Sequence, residues 1–462
     1  MGLRLTDTGN AERLVSMFGP DIRYCPQQRE WYVWDGKRWK PDIEGTVMGM
    51  AIQVAFSYRD EAEKLNAEDA NHKVDILRLT KHANRSESLH GIQSMVKLAE
   101  WDKNVVVPFD EFDRNPNMLC ITNGMIDFTD CSYRRFDRDA HITKMANVAM
   151  VRGAVSKAWN RFLQDVIPDP DTRDFIQRAV GYSVTGHTTE EKVFFVHGSG
   201  RNGKTTFINT LLNMLGDYAA QASSNVLMQK ENTGPNNELY VLRGKRLVAA
   251  TETGENKRLD ENLMKRLTGM DWVSVNPKYK TETVFMPVWK IWLSTNHEPV
   301  ITGEDIAIWE RIIKVPFMVR IRKPDVELKL RLLNSFEERS GILNWVLEGV
   351  RRWHEDGLVL PKEIKDATHD YKSEQSAIER FIKDKCKFGI SCIVVKSYLY
   401  KEYVKWCKIN KQIPKTKNSF GRIMNEKGFN SIRKTNERYW IGIDIRNSVD
   451  LTLGGFEQND KL

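Results

Sequence analysis

Residues 198–205 read Gly-Ser-Gly-Arg-Asn-Gly-Lys-Thr, directly behind the apolar run Val193-Phe194-Phe195-Val196. A glycine-spaced loop that ends in lysine and a hydroxyl residue, and is fed by a buried strand, restricts the fold more than any other feature of this chain. Gly198 and Gly203 let the backbone curl tightly. The N–H groups of the stretch between them, through Ser199, Gly200, Arg201 and Asn202, then point inward as they would around phosphate oxygens. Lys204 places an ammonium near β- and γ-phosphates, and the Thr205 hydroxyl, with Thr206 beside it, completes the shell of a Mg²⁺. Residues 206–215 follow with Phe207, Leu211, Leu212 and Leu215 on one helical face. The N-terminus of that helix aims its dipole at the anion. The expectation is an α/β P-loop NTPase core that takes ATP and Mg²⁺.

The 462 residues allow two to four domains. No run approaches the roughly 18 apolar residues of a membrane span, and the N-terminus lacks a signal-peptide core. Met1-Gly2-Leu3-Arg4-Leu5-Thr6 fits a myristoylation pattern formally, but nothing else points to a membrane, so the reading is a cytoplasmic protein with no membrane partner. Six cysteines stand singly, without C-x₂-C pairs or histidine clusters, which argues against zinc and against a disulfide framework. Charge is concentrated: residues 378–439 hold 16 Lys/Arg against 5 Asp/Glu, a local +11 within a chain of net +8. The last sixth of the chain therefore reads as a polyanion-binding module.

Five regions follow from the pattern. Residues 1–145 read as an α+β accessory domain. In it Trp31-Tyr32-Val33-Trp34-Asp35-Gly36-Lys37-Arg38-Trp39 forms a hairpin whose aromatics pack a small sheet. A second hairpin is expected where Asn123-Gly124 separates Cys120-Ile121-Thr122 from Met125-Ile126-Asp127-Phe128. Helical spacing marks residues 47–64 and 88–101. Residues 146–190 are a helical collar, in which Asp169 and Asp171 cap the second helix rather than bind metal. Residues 191–360 are the ATPase domain, including a helical lid over 328–354. Residues 373–446 are the basic module, and 447–462 a polar tail.

A phosphate loop hydrolyses nothing by itself. Arg246-Leu247-Val248-Ala249-Ala250-Thr251-Glu252 is an apolar strand ending in a carboxylate. Glu252 would polarise the attacking water or hold the Mg²⁺ shell, with Glu255 as the nearby alternative. Residues 288–296 are a second such strand, and it ends at Asn296, whose amide can meet the γ-phosphate or align the water. Arg311 leads into the apolar stretch 312–317 and is the candidate for a charge supplied to a neighbouring subunit's site.

This order of motifs, with Thr268-Gly269-Met270-Asp271 and Lys278-Tyr279-Lys280 between them, resembles the superfamily 3 helicases, specifically the phage and plasmid primase-helicase group with poxvirus-type relatives. The resemblance covers most of residues 10–445. It implies an AAA+-like domain that assembles as a ring, usually a hexamer, and moves on single-stranded DNA. It also implies a channel hairpin over residues 271–280, with Lys278 and Lys280 near the DNA. Two positions depart from the group: Asn276 stands where an arginine is common, and Glu310 stands beside Arg311 where basic pairs are frequent. With Met1 close to the first hairpin, a helicase without primase activity is expected.

Within the basic module a strand at residues 392–395, two helices and a terminal hairpin suit a winged helix-turn-helix. The helix near Lys417 and Arg422 would be the recognition element, and Lys434 and Arg438 would lie on the wing. The expected function is an ATP-dependent DNA helicase of a phage, plasmid or other mobile element. Its partners would be single-stranded and forked DNA, copies of itself, and a primase or polymerase. The rivals are an ATP-switched initiator or loader that does not unwind, and a small-molecule phosphotransferase.

Overall fold

The computed structural model describes residues 4–65, 70–229, 237–251, 257–275, 283–301, 305–323, 325–434 and 437–446. Glu252, Glu255, Asn276, Lys278 and Lys280 lie outside the described residues, as does the side chain of Lys434.

The chain opens with helix α1 (Asp7–Phe18), whose N-cap Thr6 accepts from the Gly9 N–H at 3.1 Å. Strands β1 (Ile22–Cys25), β2 (Glu30–Trp34) and β3 (Trp39–Pro41) form an antiparallel meander. The turn between β2 and β3 follows the expected chemistry. Gly36 sits at φ +90°, and the Asp35 carboxylate accepts from the backbone N–H groups of Lys37 and Arg38 at 2.9 and 2.8 Å. Trp39 is fully buried and donates its indole N–H to the Arg138 carbonyl at 2.8 Å. The hairpin aromatics therefore serve a core. Helices α2 (Thr46–Glu63), α3 (Ala70–Ser86) and α4 (Leu89–Ala99) pack with α1 around Leu14, Val54, Tyr58 and Met95.

A second meander, β4 (Met118–Ile121), β5 (Gly124–Asp127) and β6 (Ser132–Arg134), follows. Ile121 pairs with Gly124, so the two-residue loop is Thr122-Asn123, one position earlier than the sequence suggests. Gly124 is drawn into the strand because a Cβ there would lie 2.4 Å from the Tyr133 ring. Helix α5 (Lys157–Val166) begins at Ser156, and α6 (Pro170–Val184) at Asp169, whose carboxylate accepts from the Thr172 N–H at 2.7 Å. That carboxylate is a helix cap.

The central sheet comprises β7 (Val193–His197), β8 (Ala219–Ser223), β9 (Leu247–Thr251), and, after the antiparallel pair β10 (Val273–Val275) and β11 (Thr283–Phe285), β12 (Lys290–Thr295) and β13 (Ile312–Pro316). Helices α7 (Lys204–Leu215), α8 (Asn237–Val241), α9 (Glu261–Thr268) and α10 (Ile306–Arg311) connect its strands. The five strands are parallel in the order β13-β7-β12-β9-β8. Their apolar runs are continuous because both faces are covered. Phe194 and Val196 enter a core shared with Trp159, Phe175 and Trp292, while Val193 and Phe195 enter a second one with Leu293, Met264 and Tyr371. The first of these cores is unbroken from Leu119 of β4 to Ile364, across the collar region.

Two buried cations fix the amino ends of the sheet. Lys290 donates to the carbonyls of Thr185, His187 and Val288 at 2.5, 3.0 and 3.0 Å, and Arg246 donates to those of Val184 and Met118 at 3.0 and 2.7 Å. Both grip the carbonyl end of α6 or the residues just past it, where the helix dipole is negative.

Helices α11 (Val326–Asn334) and α12 (Phe336–Asp356) occupy the stretch expected as a lid. Instead α12 lies against α6 within the shared core, through glycines on both helices. A Cβ on Gly181 would be 2.2 Å from the Gly349 carbonyl carbon, and one on Gly349 would be 2.1 Å from the Gln177 oxygen. Gly349→Val is accordingly expected to destabilise the protein by about 1–3 kcal/mol or more through overpacking. Gly421→Ala, at a helical site where an added Cβ meets nothing within 4 Å, should leave it unchanged or up to about 1 kcal/mol more stable. Denaturant midpoints of the two variants check the pair.

Helix α13 (Lys362–Gln375) packs on β13, and its Thr368 hydroxyl accepts from the Lys314 N–H at 3.0 Å. The rest is α14 (Ala377–Lys385), β14 (Cys386–Val395), α15 (Lys396–Ile409), α16 (Lys417–Glu426), β15 (Ser431–Lys434) and β16 (Glu437–Ile445), with the sheet order β14-β16-β15. This module has its own core of Phe381, Tyr403, Trp406, Phe420 and Trp440. Its first strand starts at Cys386, six residues before the expected Cys392.

Candidate nucleotide-binding site

The parallel register brings three carboxyl strand ends to one level: Thr295 of β12 lies opposite His197 of β7, and Ser294 lies opposite Thr251 of β9. The chain leaves β7 toward one edge of the sheet and returns to its other side at β13, so the loop after β7 sits where strand order reverses. Open α/β sheets bind ligands in that crevice.

The loop itself is held open by backbone conformation and by one side chain. Gly200, Arg201 and Gly203 have φ of +99°, +53° and +84°. Gly198 admits no side chain, since a Cβ would stand 1.9 Å from the Asn202 amide nitrogen and 2.2 Å from the Phe317 oxygen. Asn202 is buried and donates to that Phe317 carbonyl at 2.7 Å. The strand leaving the site braces the loop further. Phe317 N–H donates to His197 at 2.7 Å, and Ile321 N–H donates to Arg201 at 2.8 Å. The N–H groups of residues 199–203 find no acceptor among the described residues. Gly203 caps α7 without offering a side-chain acceptor. A row of unpaired donors at a helix N-terminus is an anion site by construction.

Lys204 is buried and spends its ammonium on three neutral oxygens: Gly198 O at 2.6 Å, Asn202 Oδ1 at 3.0 Å and Asn296 Oδ1 at 2.9 Å. No carboxylate neutralises it among the described residues, and burial pushes its pKa below the ordinary lysine value. Asn296 is thus brought into contact with Lys204 across 92 residues of chain. Ser199, Arg201 and Thr205 are exposed at the loop surface, and Thr206 is half-buried. The donor set fits a polyphosphate: a cation without a carboxylate partner and N–H groups without an acceptor among the described residues, and an exposed hydroxyl at the position a Mg²⁺ ligand requires.

Arg311 stands elsewhere. Ile312, the residue after it, pairs with Val193 at the start of β7, whereas the loop follows His197 at that strand's end. Roughly 13 Å of strand separates the two. Its guanidinium donates to Glu191 Oε2 at 2.5 Å and to Ala307 O at 2.9 Å, so within one subunit it does not reach the phosphate loop. On the basic module, Lys417, Arg422 and Arg438 are exposed. Arg438 lies directly opposite Arg433 on β15.

Sequence reasoning missed a charged cluster beneath the loop. Glu298, three residues past the end of β12, pairs with Lys314 of β13 at 2.6 Å and lies 3.6 Å from His197 Nδ1. The only signal in the sequence was a carboxylate two residues after Asn296. Its partners come from strands that become neighbours only in the folded sheet.

Comparison with known proteins adds the following. A "D5 N terminal like" family matches residues 11–168, and a family of unknown function matches residues 196–311. The "Putative helicase L207/L206" of Acanthamoeba polyphaga mimivirus is 24% identical over 421 residues, covering 82% of this chain and 43% of the relative. The "Putative primase C962R" of African swine fever virus (isolate Warthog/Namibia/Wart80/1980) is 21% identical over 331 residues, covering 64% and 34%. The "Putative helicase V13" of Sputnik virophage is 22% identical over 289 residues, covering 58% and 37%. The chain thus spans less than half the length of these relatives. The apo C-terminal region of NrS-1 matches with a TM-score of 0.47 at 11% identity, over 94% of this chain and 98% of that one. Among the described residues no helix is long and apolar enough to cross a membrane, and no three metal-ligating side chains gather.

Proposed function

We propose that this chain, which its similarities place with phage and viral primase-helicases, is an ATP-driven DNA helicase acting in replication of a mobile element. The observation that carries the reading is the contact of Lys204 with Asn296 at the carboxyl ends of neighbouring parallel strands. It joins a polyphosphate cradle to a polar group able to sense its terminal phosphate.

In this reading residues 198–206 bind ATP, and Thr205 and Glu252 hold the Mg²⁺ that neutralises charge on the phosphates. Glu252, or Glu255, orients the attacking water. Asn296 meets the γ-phosphate once Lys204 has turned from it to the nucleotide. Arg311 serves the site of a neighbouring subunit in an AAA+-like ring, proposed as a hexamer. Lys278 and Lys280, in the segment that joins β10 to β11, line the channel. The order helix, strand, two helices, two strands after Ala377 supports the winged-helix reading of residues 373–446, with Lys417, Arg422, Lys434 and Arg438 on DNA phosphates. The divisions 1–145, 146–190, 191–360 and 373–446 are kept as functional units of this proposal, and a primase or polymerase as the partner.

The test measures ATP hydrolysis with and without single-stranded DNA, together with strand displacement on a forked duplex. DNA-stimulated turnover with displacement is expected. Turnover without displacement by the assembled protein transfers the reading to an ATP-switched initiator or loader, and turnover indifferent to DNA removes both.

A further inference from the structure

His197 is the last residue of the strand that feeds the phosphate loop, and its ring is half-made into an interaction. Nδ1 is buried with no hydrogen-bond partner among the described residues, yet it faces Glu298 Oε1 at 3.6 Å. A neutral ring that presents a bare nitrogen to a carboxylate gains nothing there, whereas a protonated ring would donate to it. The other groups around the ring are Lys314 of β13, which already pairs with Glu298, Lys204 of α7, and the backbone of Asn296. Tyr371 of α13 has Lys314 Nζ over its ring at 5.7 Å and its hydroxyl committed to Pro299 O at 2.5 Å. Burial, with Lys314 and Lys204 adding to it, holds the imidazole pKa below the ordinary histidine value, against the pull of Glu298. The ring is therefore neutral near pH 7 while the loop is without an anion.

A triphosphate in the loop reverses this balance. The loop opens at Gly198, the next residue, and Lys204 already acts on the ring, so a triphosphate there would add negative charge within reach of His197 and draw the Lys204 ammonium away, and negative charge nearby favours the imidazolium. We propose that His197 is a positioning residue that takes up a proton when nucleotide phosphates fill the adjacent loop, and that it then closes onto Glu298 to fix the Asn296 loop. The proposal rests on the nucleotide reading of the same site and adds to it a coupling between phosphate occupancy and the placement of Asn296. The geometry suits that role. Glu298 and Asn296 share one short segment, and Glu298 is anchored to β13 through Lys314, so a second bond from β7 would clamp the segment between the two strands flanking the crevice.

The test is calorimetric titration of the full chain with the β,γ-imido analogue of ATP and Mg²⁺. It is run near pH 7 in two buffers that differ in heat of ionisation. The wild type is expected to take up a fraction of a proton per bound nucleotide, on the order of one half. His197→Gln should bind the analogue and lose that uptake, with its ATPase kcat reduced more than its KM. Glu298→Gln should shrink the uptake, and it serves as the second variant if His197→Gln fails to fold. Identical heats in both buffers for the wild type overturn the proposal and leave the nucleotide site standing. Unchanged uptake in His197→Gln overturns it as well. An analogue that does not bind at all defeats both this inference and the reading beneath it.

Discussion

Lys204→Ala is expected to lower ATP turnover by roughly 10²–10³-fold, the range for removing one preorganised donor from a charged transition state. The structure makes the case specific. The ammonium is buried among three neutral oxygens and has no carboxylate partner among the described residues. Among the described residues that charge is shared with neutral oxygens alone, as the proposed nucleotide site requires. Alanine would leave the acceptors of Gly198, Asn202 and Asn296 without their shared donor. Each such loss costs about 1–3 kcal/mol where the group stays dry, so a modest fall in melting temperature should accompany the loss of activity. Lys204→Arg separates charge from geometry, because a planar guanidinium cannot reproduce the three-way fit of an ammonium. It should fold, bind nucleotide weakly and turn over slowly. Turnover of Lys204→Ala within threefold of wild type, in protein purified free of other ATPases, would mean that the site has been misidentified.

The parts of this site that could be read from sequence are those whose chemistry is local. The phosphate loop is legible because its positive-φ positions are mostly glycine, and because a lysine followed by threonine opens a helix. The Asp35-Gly36 hairpin and the Asp169 cap are legible for the same reason: each is a side chain or a φ value serving residues within three positions. Asn296 was accessible only through its place in a series of apolar strands, each ending in a polar group. What escaped depends on non-local pairing. Nothing near Glu298 in sequence announces Lys314 or His197, because their contact requires β13 and β12 to flank β7. Arg246 and Lys290 have no role that the sequence announces, yet both are buried and held by carbonyls at the end of α6. The expected lid became a packed helix for a similar reason, since the matching of Gly349 to Gly181 is visible only once α6 and α12 are side by side. The helices α1 and α3 were passed over, with polar and charged residues interleaved among few apolar ones.

Arg311→Ala is expected to cost about 10³-fold or more in turnover while nucleotide binding persists, the effect of an arginine supplied in trans to a phosphoryl-transfer site. The competing account is that Arg311 merely holds Glu191, and the structure allows the two to be separated. The pair is partly exposed, with side-chain exposures of 17% and 38%, and such a pair is worth at most about 1 kcal/mol. A purely structural role therefore predicts a small stability loss, reproduced by Glu191→Gln, and near-normal turnover in both variants. A role in trans predicts the opposite division. Glu191→Gln removes the charge partner of the guanidinium and is expected to keep turnover at or above wild type, while Arg311→Ala abolishes it. Because Arg311 sits at the amino ends of the strands and the loop at their carboxyl ends, any part it takes in the chemistry requires a second subunit. Mixing supplies the remaining discrimination. In the proposed assembly Lys204→Ala and Arg311→Ala subunits are each expected to be inactive alone, whereas a mixed ring would contain interfaces where an intact loop meets an intact arginine, and partial turnover should return. Its failure to return at any ratio, with mixed assembly demonstrated, would remove Arg311 from the chemistry and leave it as the partner of Glu191.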